Sequence, residues 1–254
     1  MANDFHNLGI KQGEMLLVHS SLSSIGFVVG SSEAVVLALL QVVGNEGTII
    51  MPSQTMQNSN PEDWENPPVP NEWHHIIYDE LPVYDSITTP TCMMGAIAET
   101  FRTFPGTKRS NHPQTSFCAN GKYAYEITCE HELTPQFGTK TPLGKMYNYG
   151  AKVLLIGVNY NKCTCFHMSE TLSGVLPKEK NGAAILKNNT REWVWYNDVE
   201  WNTDDFIMLG NDFEAKQTVK KGFVGNAECK LFDLRAAVDY GTEWIKENRA
   251  SYLV

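Results

Sequence analysis

Glu14-Met-Leu-Leu-Val18 and Gly47-Thr-Ile-Ile-Met51 are two short apolar runs on either side of a helix-like stretch, and together they decide the fold class. Runs of four or five apolar residues bounded by turn formers suit strands buried on both faces. The intervening segment 32–43 is apolar at helical spacing, with Ser31 or Ser32 expected as N-cap and Gly44 as stop. Strand, helix and strand in that order make a βαβ unit. The same alternation continues. A helix is expected at 95–104, ended by Pro105-Gly106, another at 123–131, and a strand at 152–158. Segments 182–186, 191–196 and 220–224 look like an antiparallel extension, and 233–248 forms a closing amphipathic helix. The expected architecture is α/β, a mixed central sheet flanked by helices.

The chain of 254 residues is 42% hydrophobic and 19% charged, enough to bury a full core in one domain spanning 1–254. No apolar run approaches the roughly 20 residues that cross a bilayer. The opening Met1-Ala-Asn-Asp-Phe-His lacks the basic-then-apolar layout of a signal peptide, so a cytoplasmic location is expected. The net charge of −9 disfavours nucleic acid and anionic membranes as partners and is compatible with a cationic small molecule. Six scattered cysteines imply no disulfide framework.

Residues 54–90 differ from the rest, with six prolines, Trp64, Trp73, Tyr78, Tyr84 and carboxylates at Asp63, Asp79 and Asp85 among others. Such an insertion is either a functional lid or an irregular surface loop.

The chemistry concentrates after the strand Lys152-Val-Leu-Leu-Ile-Gly157. A turn with Asn159 and Asn161 leads into Cys163-Thr-Cys-Phe-His167-Met-Ser-Glu170, where helical i, i+3 spacing puts His167 and Glu170 on one face. An imidazole held by a carboxylate is a general base for neutral pH, against the plainer reading of a satisfied structural histidine. Three further clusters stand out. The loop His19-Ser20-Ser21 to Gly26, followed by Gly30-Ser-Ser-Glu33, joins hydroxyls and glycines to a helix N-terminus, which attracts anions and phosphates. Arg109, His112 and Ser116 lie within eight residues and form either a capped loop or a phosphate contact. Thr141-Pro-Leu-Gly-Lys-Met146 either caps a helix or contributes to a site. No Walker A or Gly-x-Gly-x-x-Gly pattern is present, which disfavours nucleotide hydrolysis and NAD-type binding. Cys163, Cys165 and His167 alternate without a second ligand cluster, so no metal is expected, and a cysteine nucleophile paired with His167 is an outside alternative.

The run Met94-Gly-Ala-Ile-Ala-Glu-Thr-Phe-Arg-Thr-Phe-Pro-Gly-Thr-Lys-Arg-Ser-Asn-His-Pro-Gln-Thr-Ser-Phe117 closely resembles the signature of the aminoglycoside 3-N-acetyltransferases, the antibiotic N-acetyltransferase family. Leu17-Val-His-Ser-Ser-Leu22, Thr141–Met146, Val153-Leu-Leu-Ile-Gly157 running into His167–Glu170, and Phe232-Asp-Leu-Arg-Ala-Ala-Val-Asp-Tyr240 agree with it, so the resemblance covers nearly the whole chain.

The resemblance implies the family's own α/β fold, distinct from the common small N-acetyltransferase fold, and acetyl-CoA as cosubstrate. It implies transfer of acetyl to the 3-amino group of 2-deoxystreptamine aminoglycosides, and with it antibiotic resistance. His167 then looks like the base, and Glu170 like the carboxylate that orients it and meets the cationic substrate. His19, Ser20, Ser21, Arg109, His112, Ser116 and Thr141 look like the coenzyme A side. Asp63, Asp79 and Asp85 are expected ammonium partners, and a homodimer is one form the protein could take. Where relatives usually carry an Asn-Thr pair ahead of the histidine, this chain has Lys162-Cys-Thr-Cys165. A different amine acceptor, a coenzyme A-binding protein without aminoglycoside activity, and a thioesterase are the rival readings.

Overall fold

The computed structural model describes residues 1–249. In chain order, α1 (Ala2–Leu8) precedes β1 (Met15–Ser20), a single turn α2 (Leu22–Ile25), α3 (Ser31–Val43) and β2 (Thr48–Pro52). Two 3-10 turns, Pro61–Asp63 and Asn71–Trp73, and the short α4 (His74–Glu80) follow. Next come α5 (Ala96–Thr103), β3 (Lys108–Arg109), β4 (Phe117–Gly121), α6 (Ala124–Thr128), α7 (Pro142–Tyr149) and β5 (Lys152–Ile156). The remainder is α8 (Cys165–Ser173), β6 (Lys178–Lys187), β7 (Thr190–Val199), α9 (Phe206–Lys216), β8 (Lys220–Val224), β9 (Ala227–Asp233) and α10 (Leu234–Arg249).

Seven strands form one mixed sheet in the order β3-β4-β2-β1-β5-β9-β8, while β6 and β7 pair as a separate ribbon. At its centre β1 runs parallel to both neighbours, Leu16 opposite Ile49 of β2 and Leu17 opposite Val153 of β5. Helices cover both faces. Leu17, Ile50, Val153 and Leu155 pack on one side beneath α7, α8 and α10, and Leu16, Val18, Ile49 and Ile156 on the other beneath α1, α3 and α5. Burial on both faces explains the continuous apolar runs of the central strands. Truncating Leu17, which is fully buried, to alanine costs about 2–5 kcal/mol on this account.

Because β2 lies on one side of β1 and β5 on the other, the connections leaving β1 and β5 diverge. In an open α/β sheet that divergence leaves a crevice at the carboxyl ends of the strands. Gly157 ends β5 there with φ of 62°, and a Cβ would come 2.3 Å from Cβ of Ser24. Glycine therefore lets the chain turn from β5 over the β1 loop toward α8.

Several expected elements shift. Helix α3 starts at a left-handed Gly30 and not at a serine side-chain cap, since Ser32 Oγ instead pairs with Thr100 Oγ1 at 2.7 Å. The helix expected over 123–131 spans only Ala124–Thr128. Segment 220–224 belongs to the main sheet, and Phe232 lies in β9 opposite Val153, so the closing helix begins at Leu234. Helix α9 has no counterpart among the elements read from the sequence. Its buried Phe206, Leu209, Gly210 and Phe213 have helical spacing, but Gly210 weakens the pattern. The reason for that glycine is tertiary, because a Cβ there would come 2.0 Å from the Tyr160 ring.

The 54–90 insertion is fastened to the β6–β7 ribbon. Asn58 exchanges two hydrogen bonds with the Ala184 backbone, Arg191 donates to the carbonyls of Tyr78 and Leu81, and Tyr78 packs edge-on against Trp193 and Trp195. Among the described residues no helix is long and apolar enough to cross a membrane.

Candidate active site

The crevice at the carboxyl ends of β1 and β5 opens into a cleft of about 570 Å³. His19, Ser20 and Ser21 form one wall, Met93 to Ala96 another, and Lys162, Cys163 and His167 a third. Its position is the one the sheet topology dictates.

His167 sits in the first turns of α8, with its side chain 14% exposed and Nδ1 2.6 Å from Glu170 Oε2. Glu170 is fully buried and accepts from Nδ1–H, and in the neutral form of the ring the remaining lone pair is then on Nε2. Three aromatic rings hold the imidazole. Phe137 stacks on it at 5.0 Å between centroids, and Trp201 and Phe206 abut it at 5.3 and 5.1 Å. The other oxygen of Glu170, Oε1, accepts from the backbone N–H of Asn202 at 3.0 Å and from Nη1 of Arg249 at 2.5 Å. Both oxygens of Glu170 are engaged and the residue has no exposed surface, so within this structure it presents no free oxygen to the cleft, unlike the substrate contact expected of it.

His19 lies on β1 and lines the same cleft. Burial, reinforced by the positive charge His167 can carry, lowers its pKa from 6.5 to about 3, so the ring is neutral. Its Nε2 is buried without a partner among the described residues. Ser21 Oγ is tied to Ser23 and Ser24, whose own Oγ donates to the Gly157 carbonyl.

The remaining expected coenzyme contacts lie elsewhere. Arg109 donates from Nη1 to Thr89 O, from Nη2 to Ser53 O and from Nε to Ser116 Oγ, and its guanidinium covers the Tyr84 ring. Ser116 is fully buried and donates to Ser53 O. These two residues staple the start and end of the insertion to the sheet. His112 is also fully buried. Its Nδ1 accepts from the backbone N–H groups of Gln114 and Thr115, its Nε2 donates to Leu133 O, and burial lowers its pKa to about 4. Thr141 is buried and donates to Gly138 O at the start of α7. None of these four lines the cleft.

Asp63, Asp79 and Asp85 are exposed and do not line the cleft either. Asp85 caps its own turn, and hydrogen bonds from Thr88 and Ile87 lower its pKa. The expected anion cradle at Gly30–Glu33 also falls outside the cleft. A different helix N-terminus, Gly95-Ala96 at the start of α5, opens into it, and among the described residues Lys162 is the one Lys or Arg that lines it. The signal for both was present in the sequence, in Met94-Gly-Ala ahead of a helix and in the basic Lys162 shortly after the strand that ends at Gly157. Cys163 and Cys165 place their sulfurs 3.3 Å apart within the core, and burial pushes the Cys165 thiol well up, away from nucleophilic service.

The chain thus combines a mixed α/β sheet with a histidine–carboxylate pair that opens on a switch-point cleft. The model of the aminoglycoside 3-N-acetyltransferases matches residues 17–246, and the chain belongs to that family of acyltransferases. It is 45% identical over 252 residues to the SPbeta prophage-derived aminoglycoside N(3')-acetyltransferase-like protein YokD of Bacillus subtilis (strain 168), covering 98% of this chain and 92% of the relative. The YokD crystal structure superposes with a TM-score of 0.96, 44% identity and coverage of 98% and 93% of the two chains. Aminoglycoside N(3)-acetyltransferase VII of Streptomyces paromomycinus is 30% identical over 263 residues, covering 97% and 90%. A solved structure described as AAC-IIIb binary with CoASH aligns at TM-score 0.86 and 25% identity, over 97% of this chain and 94% of that one. The fold is that of these acetyltransferases.

Proposed function

We propose that the protein transfers acetyl from acetyl-CoA to the 3-amino group of a 2-deoxystreptamine aminoglycoside, with His167 as general base for direct transfer. The observation that carries this reading is the 2.6 Å contact between His167 Nδ1 and buried Glu170, which leaves Nε2 as a base facing the cleft. An ammonium has no lone pair to attack a thioester. His167 Nε2 takes a proton from the bound ammonium, the neutral amine attacks the acetyl carbonyl, and collapse of the tetrahedral oxyanion expels the coenzyme thiolate, which takes up the second proton that the acylated nitrogen sheds.

The coenzyme reading is supported by the relative solved with CoASH. Within this chain it is supported by the free N–H groups at the start of α5 and by Lys162, both suited to phosphate. Ser20 and Ser21, which line the same cleft as His167, are candidate donors to the oxyanion. The site reading that remains is His167 as base, Glu170 as its positioning carboxylate, and His19, Ser20 and Ser21 on the thioester side. Gln54 and Met56 of the cleft wall make the 54–90 insertion the segment that selects acceptors. Acetyl-CoA use carries with it a cytoplasmic location, and acetylation of an antibiotic carries resistance.

A different amine acceptor is the second reading. It is favoured by the absence of Asp and Glu among the described residues that line the cleft, since a polycationic drug needs carboxylate partners. The test is thiol release from acetyl-CoA with and without a panel of aminoglycosides, in the wild type and in His167→Ala. Release that requires the drug and collapses in the variant supports the first reading. Coenzyme binding with release that no aminoglycoside stimulates would move the search to another acceptor.

A further inference from the structure

Arg249 ends the described part of α10, about 80 residues from the catalytic helix in sequence, yet its side chain is 4% exposed and its guanidinium touches the back of the site. Gly241, Ile245 and Arg249 follow one another at intervals of four on the buried face of α10. Gly241 allows this face to meet α8 closely, since a Cβ there would come 2.6 Å from Ser169 Oγ, and Ser169 donates to Val238 O. Two turns further on, Arg249 Nη1 reaches Glu170 Oε1 at 2.5 Å. Its Nε donates to Asp205 Oδ2 at 2.9 Å, Nη2 pairs with Asp205 Oδ1, and Nη2 also donates to Asn202 O at 2.9 Å.

We infer that Arg249 is a positioning residue for His167, acting through Glu170. The inference rests on the reading of His167 as the base. A fully buried carboxylate stays ionised only when its charge is met and its lone pairs are occupied. Arg249 does both for Oε1, and so leaves Oε2 to His167 Nδ1. The same guanidinium holds the carbonyl of Asn202, whose N–H is the other donor to Oε1, and Asp205, the residue that starts α9. It therefore also fixes the 201–206 loop, which supplies Trp201 and Phe206 to the imidazole and Thr203 to the cleft. The charged and titratable groups facing Glu170 and His167 are thus Arg249 from α10, Asp205 at the start of α9 and His19 from β1. A lysine could keep the charge but could not fork to Glu170, Asp205 and Asn202 at once.

Five proteins test this: wild type, Arg249→Met, Arg249→Lys, His167→Ala and the His167→Ala/Arg249→Lys double variant, which completes a cycle. The readouts are kcat and KM for acetyl transfer, and proton NMR of the ligand-free protein for the downfield Nδ1–H of His167, assigned by its loss in His167→Ala. Arg249→Met is expected to lower kcat about 10- to 100-fold with KM within about threefold, as a displaced catalytic group does. It should also move or broaden the downfield proton, while Arg249→Lys falls between it and wild type. The double variant should be no slower than His167→Ala, because residues acting as a unit are not additive. If Arg249→Met fails to fold, Arg249→Lys carries the test alone. An unmoved proton with unchanged kcat, or a further multiplicative loss in the double variant, would overturn the positioning role. Full transfer activity in His167→Ala would instead overturn the base reading, and the two failures are separable.

Discussion

Two polar clusters, around His167 and around His112, contain the same chemistry: an imidazole, hydroxyls and an arginine. They differ in where their hydrogen bonds end. His112 spends both ring nitrogens on backbone groups, and Arg109 spends its guanidinium on two carbonyls and a buried hydroxyl. His167 spends one nitrogen on Glu170, and the other faces the cleft. A saturated cluster stabilises a fold, and a cluster with one valence left over can do chemistry. In the positioning role proposed for Arg249 the two kinds join, since its saturated guanidinium occupies Glu170 Oε1 and leaves Oε2 to His167.

The largest expected effect lies on the catalytic side. His167→Ala should lower kcat about 10³-fold, within the range for a lost general base, with little change in stability. A variant that keeps activity would erase the distinction between the clusters.

The next effect belongs to His112 and is read in stability. Its folded pKa of about 4 lies below the 6.5 of the free side chain, so the unfolded chain binds the proton first as pH falls. Stability is therefore full above pH 6.5, declines between 6.5 and 4, and levels below that, by about 3 kcal/mol for this residue. His19, neutral down to about 3, adds a loss of the same sign. Urea denaturation at pH 7.5 and 4.5 measures it. In His112→Asn the fall should be smaller, and a pH-independent gap between variant and wild type would contradict a buried neutral ring.

Arg109→Met should cost about 2 kcal/mol through the stranded Thr89 and Ser53 carbonyls, with KM for acetyl-CoA unchanged. A large rise in that KM would return Arg109 to the coenzyme. The smallest effect is expected for the combined Asp63→Asn, Asp79→Asn and Asp85→Asn variant. Exposed carboxylates away from the cleft should alter acceptor KM by less than about twofold at physiological salt, and a larger change would show that the insertion closes over the acceptor.

Some of this was legible in one dimension. The apolar runs 14–18, 47–51 and 152–156 could be read as central strands because burial on both faces removes polar residues from them. His167 and Glu170 could be paired because helical spacing is a local property. Arg109, His112, Ser116 and Thr141 could not be sorted from true cleft residues, since a sequence shows a donor but not its acceptor. Asn202 and Arg249 carried no local signal at all, because each matters only through a carboxylate 32 or 79 residues away.

The sequence by itself therefore determined the α/β class, the family and the histidine–carboxylate pair, all of which depend on short-range periodicity or ordered motifs. Tertiary structure decided which helix N-terminus meets the cleft, which polar clusters are saturated, and that Arg249 of the closing helix reaches Glu170. Those outcomes depend on the divergence of the chain about β1 and on the close approach of α10 to α8 at Gly241, contacts between segments far apart in the chain.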